Sequence, residues 1–231
     1  NPYGPMGYRT EIKIIDGNHT ATIFNYTGYL LDELVVGDLG QQTPSLIVGI
    51  HSPALTTSDR NKVVAFDFYR NQLFNISLPH YEYSITHLRV GDLDNDGVQE
   101  IIVVHSPVYF MKETGILIYS SQGVLLKHIP LFTSGHSERV VSSAITDFDN
   151  DGKTDIILYT NYEARSPTTY FYDLDPNIFQ RIYVFNLGTT MGRLDWPMEY
   201  HDMQHTSRYD TARIPRLLAP INLTARLIGT K

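Results

Sequence analysis

Val90-Gly91-Asp92-Leu93-Asp94-Asn95-Asp96-Gly97-Val98-Gln99-Glu100-Ile101-Ile102-Val103-Val104-His105-Ser106-Pro107 is the stretch that decides how this chain is read. It joins a strand end, a loop of alternating carboxylates and an apolar run. Parts of it recur. Val36-Gly37-Asp38-Leu39 and His51-Ser52-Pro53 reproduce both of its ends upstream, and Ile145-Thr146-Asp147-Phe148 opens a third copy downstream. Asp38, Asp92 and Asp147 stand 54 and 55 residues apart. A fixed period of this size marks a repeat architecture.

Around this stretch, β-prone runs rich in Tyr, Phe, Ile, Val and Thr alternate with Gly/Asn/Asp turns, and helical periodicity is scarce. The fold class read from this is all-β. In the middle unit a first strand at 85–91 enters the loop and a second at 100–105 leaves it. Ile101-Ile102-Val103-Val104 is apolar on both faces, as in a strand sandwiched between layers. A hairpin at 115–119 and 124–129 across Ser120-Ser121-Gln122-Gly123 completes four strands. The first unit repeats it at 62–68 and 73–78, and the third is expected to place it at 168–172 and 181–185. Residues 11–15 and 20–24 flank Asp16-Gly17-Asn18 as one more hairpin.

Four-stranded units of this length suit a β-propeller, whose rings hold roughly 4–8 blades. The chain has about 3.5 blades, too few to close a ring. Either the C-terminal segment completes the half-blade, or the ring continues in residues or chains beyond these. Blades are expected over residues 1–190, and a cap with a closing or donated strand over 191–231. The chain begins with Asn1 rather than Met and has no signal-peptide pattern, so a processed chain or a fragment is expected.

The loop 92–100 reads D-x-D-x-D-G-x-x-E, and the loop 147–155 reads D-x-D-x-D-G-x-x-D. Alternating carboxylates on a tightly wound loop converge on one point, and the glycine permits the turn that closes it. Many hard oxygen ligands suit Ca²⁺ better than the smaller, octahedral Mg²⁺. Two calcium sites are therefore expected. The first takes Asp92, Asp94, Asp96 and Glu100 with the carbonyl of Val98; the second takes Asp147, Asp149, Asp151 and Asp155 with the carbonyl of Lys153. An EF-hand needs a Glu at position twelve and flanking helices, whereas Val103 and Leu158 stand there inside strands. A solvated acidic turn without metal is the alternative, and duplication in register speaks against it. The first unit is a control. Its loop keeps Asp38 but has Gly40, Gln42 and Leu46 at positions three, five and nine, and is expected to bind no calcium.

These two loops, placed between the first two strands of each unit, resemble the FG-GAP/VCBS repeats of integrin-α-type β-propellers. The resemblance covers about residues 10–190. It implies calcium at the eight carboxylates just named, an extracellular or cell-surface setting and, usually, a seven-bladed ring. The literal Phe-Gly and Gly-Ala-Pro signatures are absent. Further on, Trp196-Pro197-Met198-Glu199-Tyr200-His201-Asp202-Met203-Gln204-His205-Thr206 is similar to a segment that follows the last repeat in many secreted archaeal and bacterial propeller proteins. His201 and His205 have zinc-protease spacing, but Asp202 replaces the general-base Glu, and a packed cap is expected.

Residues 213–231 are read as a final strand or linker, or as a strand donated to the N-terminal hairpin of the same chain or a neighbour, the latter giving a homopolymer. Sequons stand at Asn18, Asn25, Asn75 and Asn222, and glycans are expected if the protein is exported where N-glycosylation operates.

Composition narrows the function. A net charge of −7 offers no basic face for phosphates, so nucleic acid is not an expected partner. The absence of cysteine excludes disulfides, thiolate metal sites and Cys nucleophiles. No apolar run reaches the roughly 18 residues of a membrane span. There is no phosphate loop and no G-x-S-x-G elbow, and His51 and His105 occupy equivalent, structural positions. The expectation is a non-enzymatic calcium-binding module for cell-surface adhesion or structure, including a subunit of a glycosylated filament or coat. The rival is a carbohydrate-binding module or propeller domain of a secreted carbohydrate-active enzyme, with the 16 Tyr as sugar platforms.

Overall fold

A computed structural model describes residues 9–16, 19–41, 43–52, 61–67, 69, 71–79, 83–107, 113–131, 137–163 and 178–194. Among them there are strands and turns but no helix, and so none long and apolar enough to cross a membrane. β1 (Arg9–Asp16) and β2 (His19–Thr27) form a hairpin. β3 (Leu30–Gly37), β4 (Ser45–His51), β5 (Asn61–Phe66) and β6 (Gln72–Ser77) make an antiparallel sheet in chain order. β7 (Tyr83–Gly91), β8 (Glu100–Pro107), β9 (Thr114–Tyr119) and β10 (Leu125–Leu131) repeat it. β11 (Ser137–Thr146), β12 (Lys153–Glu163) and β13 (Ile178–Thr190) form a third sheet.

The third unit departs from expectation. β13 covers the expected fourth strand at 181–185 but pairs directly with β12, with Ile157 opposite Val184, and so takes third place. β-propensity identifies a strand without naming its partner. The expected strand at 168–172 lies outside the described residues, as do the Trp196 to Thr206 segment, residues 213–231, Asn18 and Asn222.

The sheets pack face to face in chain order, and the central strands are apolar on both faces for that reason. Val48, Ile50 and Val64 meet Ile12 of the hairpin, while Ile47 and Val63 meet the second sheet. Ile101 and Val103 point back to the first sheet, and Ile102 and Val104 point on to the third. Each such side chain, fully buried, contributes about 1.5–3 kcal/mol. The outermost strands β6 and β10 are largely exposed. The third sheet turns Tyr183, Phe185 and Leu187 inward and leaves Ile182 and Val184 exposed on its other face. The hairpin and the third sheet do not touch, so the described sheets form an open stack rather than a closed ring.

The first strand of every unit carries the same irregularity, a β-bulge between Leu31 and Glu33, Ile85 and His87, and Val140 and Ser142. A bulge sharpens local twist and re-aims the following side chain. Here it precedes Glu33, His87 and Ser142, where the three first strands lie side by side.

Candidate metal centre

Both acidic loops leave a first strand and wind back into a second, and they have the same internal bonding. Asp96 N–H donates to Asp92 Oδ1 at 3.1 Å and to Asp94 Oδ1 at 3.3 Å. Gly97 N–H donates to Asp92 Oδ2 at 3.0 Å, and Val98 N–H to Asp96 Oδ1 at 2.8 Å. Fifty-five residues on, Asp151, Gly152 and Lys153 donate to Asp147, Asp149 and Asp151 over 2.9–3.2 Å. The left-handed backbone also recurs, at Asn95 and Asn150 (φ 62° each) and at Gly97 and Gly152 (φ 91° and 82°). Asparagine and glycine are the residues that enter that region most readily.

This winding gathers the carboxylates. Asp92, Asp94 and Asp96 present one oxygen each within 4.8 Å of one another, and so do Asp147, Asp149 and Asp151. The expected position-nine ligands, Glu100 and Asp155, are not in these groups of three and instead close the loops from the second strand. Glu100 Oε2 accepts Leu93 N–H at 2.8 Å, and Asp155 Oδ2 accepts Phe148 N–H at 2.9 Å. Burial, reinforced by the nearby Asp94, Asp96 and Asp92, pushes the Glu100 carboxyl up to about 7 against that hydrogen bond. Asp151 is held below the usual range: desolvation alone would raise it, but the backbone and side chain of Lys153 and the amide of Asn186 together outweigh that. Lys153 Nζ lies 3.1 Å from Asp151 Oδ2.

The donor set fits a hard cation. All the gathered groups are oxygens, and an opposite charge between them would offset the repulsion of like charges at this separation. Asp155 gives the sharper test. It is 1% exposed, and its Oδ1 has no hydrogen-bond partner among the described residues. A buried carboxylate oxygen without a donor is costly unless a cation, a water or its own protonation meets it, and a cation fits beside three further carboxylates. The first-unit loop gathers no comparable group among the described residues, and there Gly40 N–H simply caps Asp38 Oδ1 at 3.0 Å.

The loops also bond to one another. Gln99 Oε1 accepts Asp38 N–H at 2.7 Å, and Thr154 Oγ1, at the equivalent position, donates to the Leu93 carbonyl at 3.0 Å. Position eight of each loop therefore reaches the loop before it. A strap made of the end of β13 and the residues after it crosses all three. Met191 N–H donates to Gly152 O at 3.2 Å, Gly192 N–H to Asp92 O at 3.0 Å, and Asp92 N–H to Arg193 O at 2.7 Å. Arg193 Nη1 ends 3.7 Å from Asp38 Oδ2. Nothing in Thr189 to Leu194 has a motif, and sequence reading missed it.

Of the sequons, Asn75 is exposed on edge strand β6, and Asn25 lies on β2. A group that the loop motif did not foreshadow is His105, Glu113 and His128 on the second sheet. No protein-family model matches this chain, and neither the curated proteins nor the solved structures yield a match.

Proposed function

We propose that this chain is a calcium-stabilised β-propeller module of the FG-GAP/VCBS type, acting outside the cell as a non-enzymatic adhesive or structural element. The observation that carries the calcium reading is the buried, donorless Oδ1 of Asp155 behind a loop whose bonding duplicates that of 92–100. Asp92, Asp94, Asp96 and Glu100 would hold one Ca²⁺, and Asp147, Asp149, Asp151 and Asp155 the other. Bound calcium would supply a positive centre that offsets the repulsion of the gathered carboxylates. The residues themselves fix the end of each first strand against the start of the second. Through Gln99 and Thr154 they hold each loop against its predecessor.

The blade reading is supported by two four-stranded antiparallel sheets and a third sheet of three described strands, stacked in chain order with bulged first strands side by side. Export is supported by the sequons, with Asn75 exposed. Self-association is supported by the uncovered face that carries Ile182 and Val184. Calorimetry with calcium and with EGTA tests the central claim. Chelation is expected to lower the melting temperature by about 5 °C or more, and titration to give two ions per chain. An unchanged melting curve would sink the calcium reading, and strictly monomeric light scattering would remove self-association.

A further inference from the structure

We propose that His105, Glu113 and His128 form a separate site for a borderline divalent ion such as Zn²⁺. One ligand atom from each lies within 4.8 Å of the other two, and His128 Nε2 is 2.5 Å from Glu113 Oε1. Two imidazoles and a carboxylate are a zinc donor set, with a fourth position left for water. Around a tetrahedral zinc, ligand atoms stand roughly 3.3 Å apart, so small side-chain rotations would centre an ion among these three.

The sister unit shows how this cluster came about. His51 is the counterpart of His105, and its Nδ1 lies 2.5 Å from Asp32 Oδ1 on the bulge of β3. In the second unit the bulge residue is Thr86, whose hydroxyl donates to the Val104 carbonyl at 3.1 Å. The first-strand carboxylate is gone. Two more positions change with it. His51 pairs with Asn61, but His105 pairs with Gly115, where a Cβ would stand 3.0 Å from His105 Nε2. Val63 pairs with Ile76, but the equivalent Leu117 pairs with His128. Glycine lets the buried His105 lean across β9 towards His128, and the ring centres come to 6.0 Å. His128 is 37% exposed, which leaves the cluster a route to solvent. Three coordinated differences from an otherwise parallel unit thus exchange a His–Asp pair for three convergent ligands. The inference does not depend on calcium at the acidic loops, because hard-oxygen and imidazole sites select different ions.

The test uses untagged, full-length protein saturated with Ca²⁺ and titrated with ZnCl₂ in a calorimeter, with Co²⁺ absorption as a second readout. One Zn²⁺ per chain is expected, and tetrahedral cobalt bands. Binding should be lost in Glu113→Gln and in His128→Ile, which installs the sister residue and so keeps the fold. Asp155→Asn should leave zinc untouched. No zinc binding, or undiminished binding in His128→Ile, would overturn the proposal.

Discussion

Arg89 Nη1 of β7 lies 2.8 Å from Glu33 Oε1 of β3, although the two residues belong to different sheets. The same guanidinium donates through Nε to the Ser143 carbonyl of β11 at 3.2 Å. Glu33 also accepts the Leu88 N–H. One arginine, 1% exposed, therefore ties the first strands of all three units together. Removing one partner of a buried pair strands the other, at a cost of about 3–5 kcal/mol. Arg89→Met and Glu33→Gln should each approach that loss in urea unfolding. The double variant should cost less than their sum, because each single change already breaks the pair. Strict additivity would show that the pair is not coupled.

Next to this arginine, His87 is held neutral. Burial, with Arg89 beside it, pulls its imidazole down to about 4, against the opposing effect of its hydrogen bond to the Val141 backbone. The unfolded chain binds that proton near pH 6.5 and the folded chain only near 4, so stability is complete above about 6.5 and is lost as pH falls. The loss should reach about 3 kcal/mol by pH 4. Denaturant unfolding between pH 4 and 7 checks this against His87→Gln, which should have a shallower slope. Equal slopes would place the titration elsewhere.

Leu93 and Phe148 occupy the same place in successive loops, yet Leu93 is 4% exposed and Phe148 63%. Leu93 packs among Ile102, Ile145 and Ile156, whereas Phe148 has no such cover. Leu93→Ala should cost about 2–5 kcal/mol and Phe148→Ala less than about 0.5 kcal/mol. A large loss for Phe148→Ala, dependent on protein concentration, would instead reveal a partner on that face.

Asp155 and Asp38 distinguish the proposed calcium loop of the third unit from the first-unit control. Asp155→Asn should reduce calcium stoichiometry from two to one and remove the corresponding part of the thermal shift, while Asp38→Asn leaves both unchanged. Isothermal titration reads both variants. Two ions retained in Asp155→Asn would exclude that carboxylate from the site.

The features legible beforehand were those written locally. The gathering of the loop carboxylates, the N-terminal hairpin and the doubly apolar β8 each lie within one short continuous stretch, where spacing and periodicity suffice. What escaped was non-local. Glu33 and Arg89 are 56 residues apart and sit in strands that read as ordinary. The bulges that aim them shift a register, which a period of two does not record. β13 was seen as a strand but assigned the wrong neighbour. The zinc-type cluster was hidden by an apparent equivalence: His51 and His105 match, and the difference lies in Thr86, Gly115 and His128 around them.

The strap from Thr189 to Leu194 has a consequence for the order of assembly. Synthesis runs from the N-terminus, and the first two sheets can form from neighbouring segments as they emerge. The bonds between Asp92 and Gly192 and between Asp92 and Arg193 join residues about 100 positions apart, and long loops close late. The acidic loops are thus latched from outside only after the third sheet exists. A nascent chain halted before Met191 would carry both loops without these bonds.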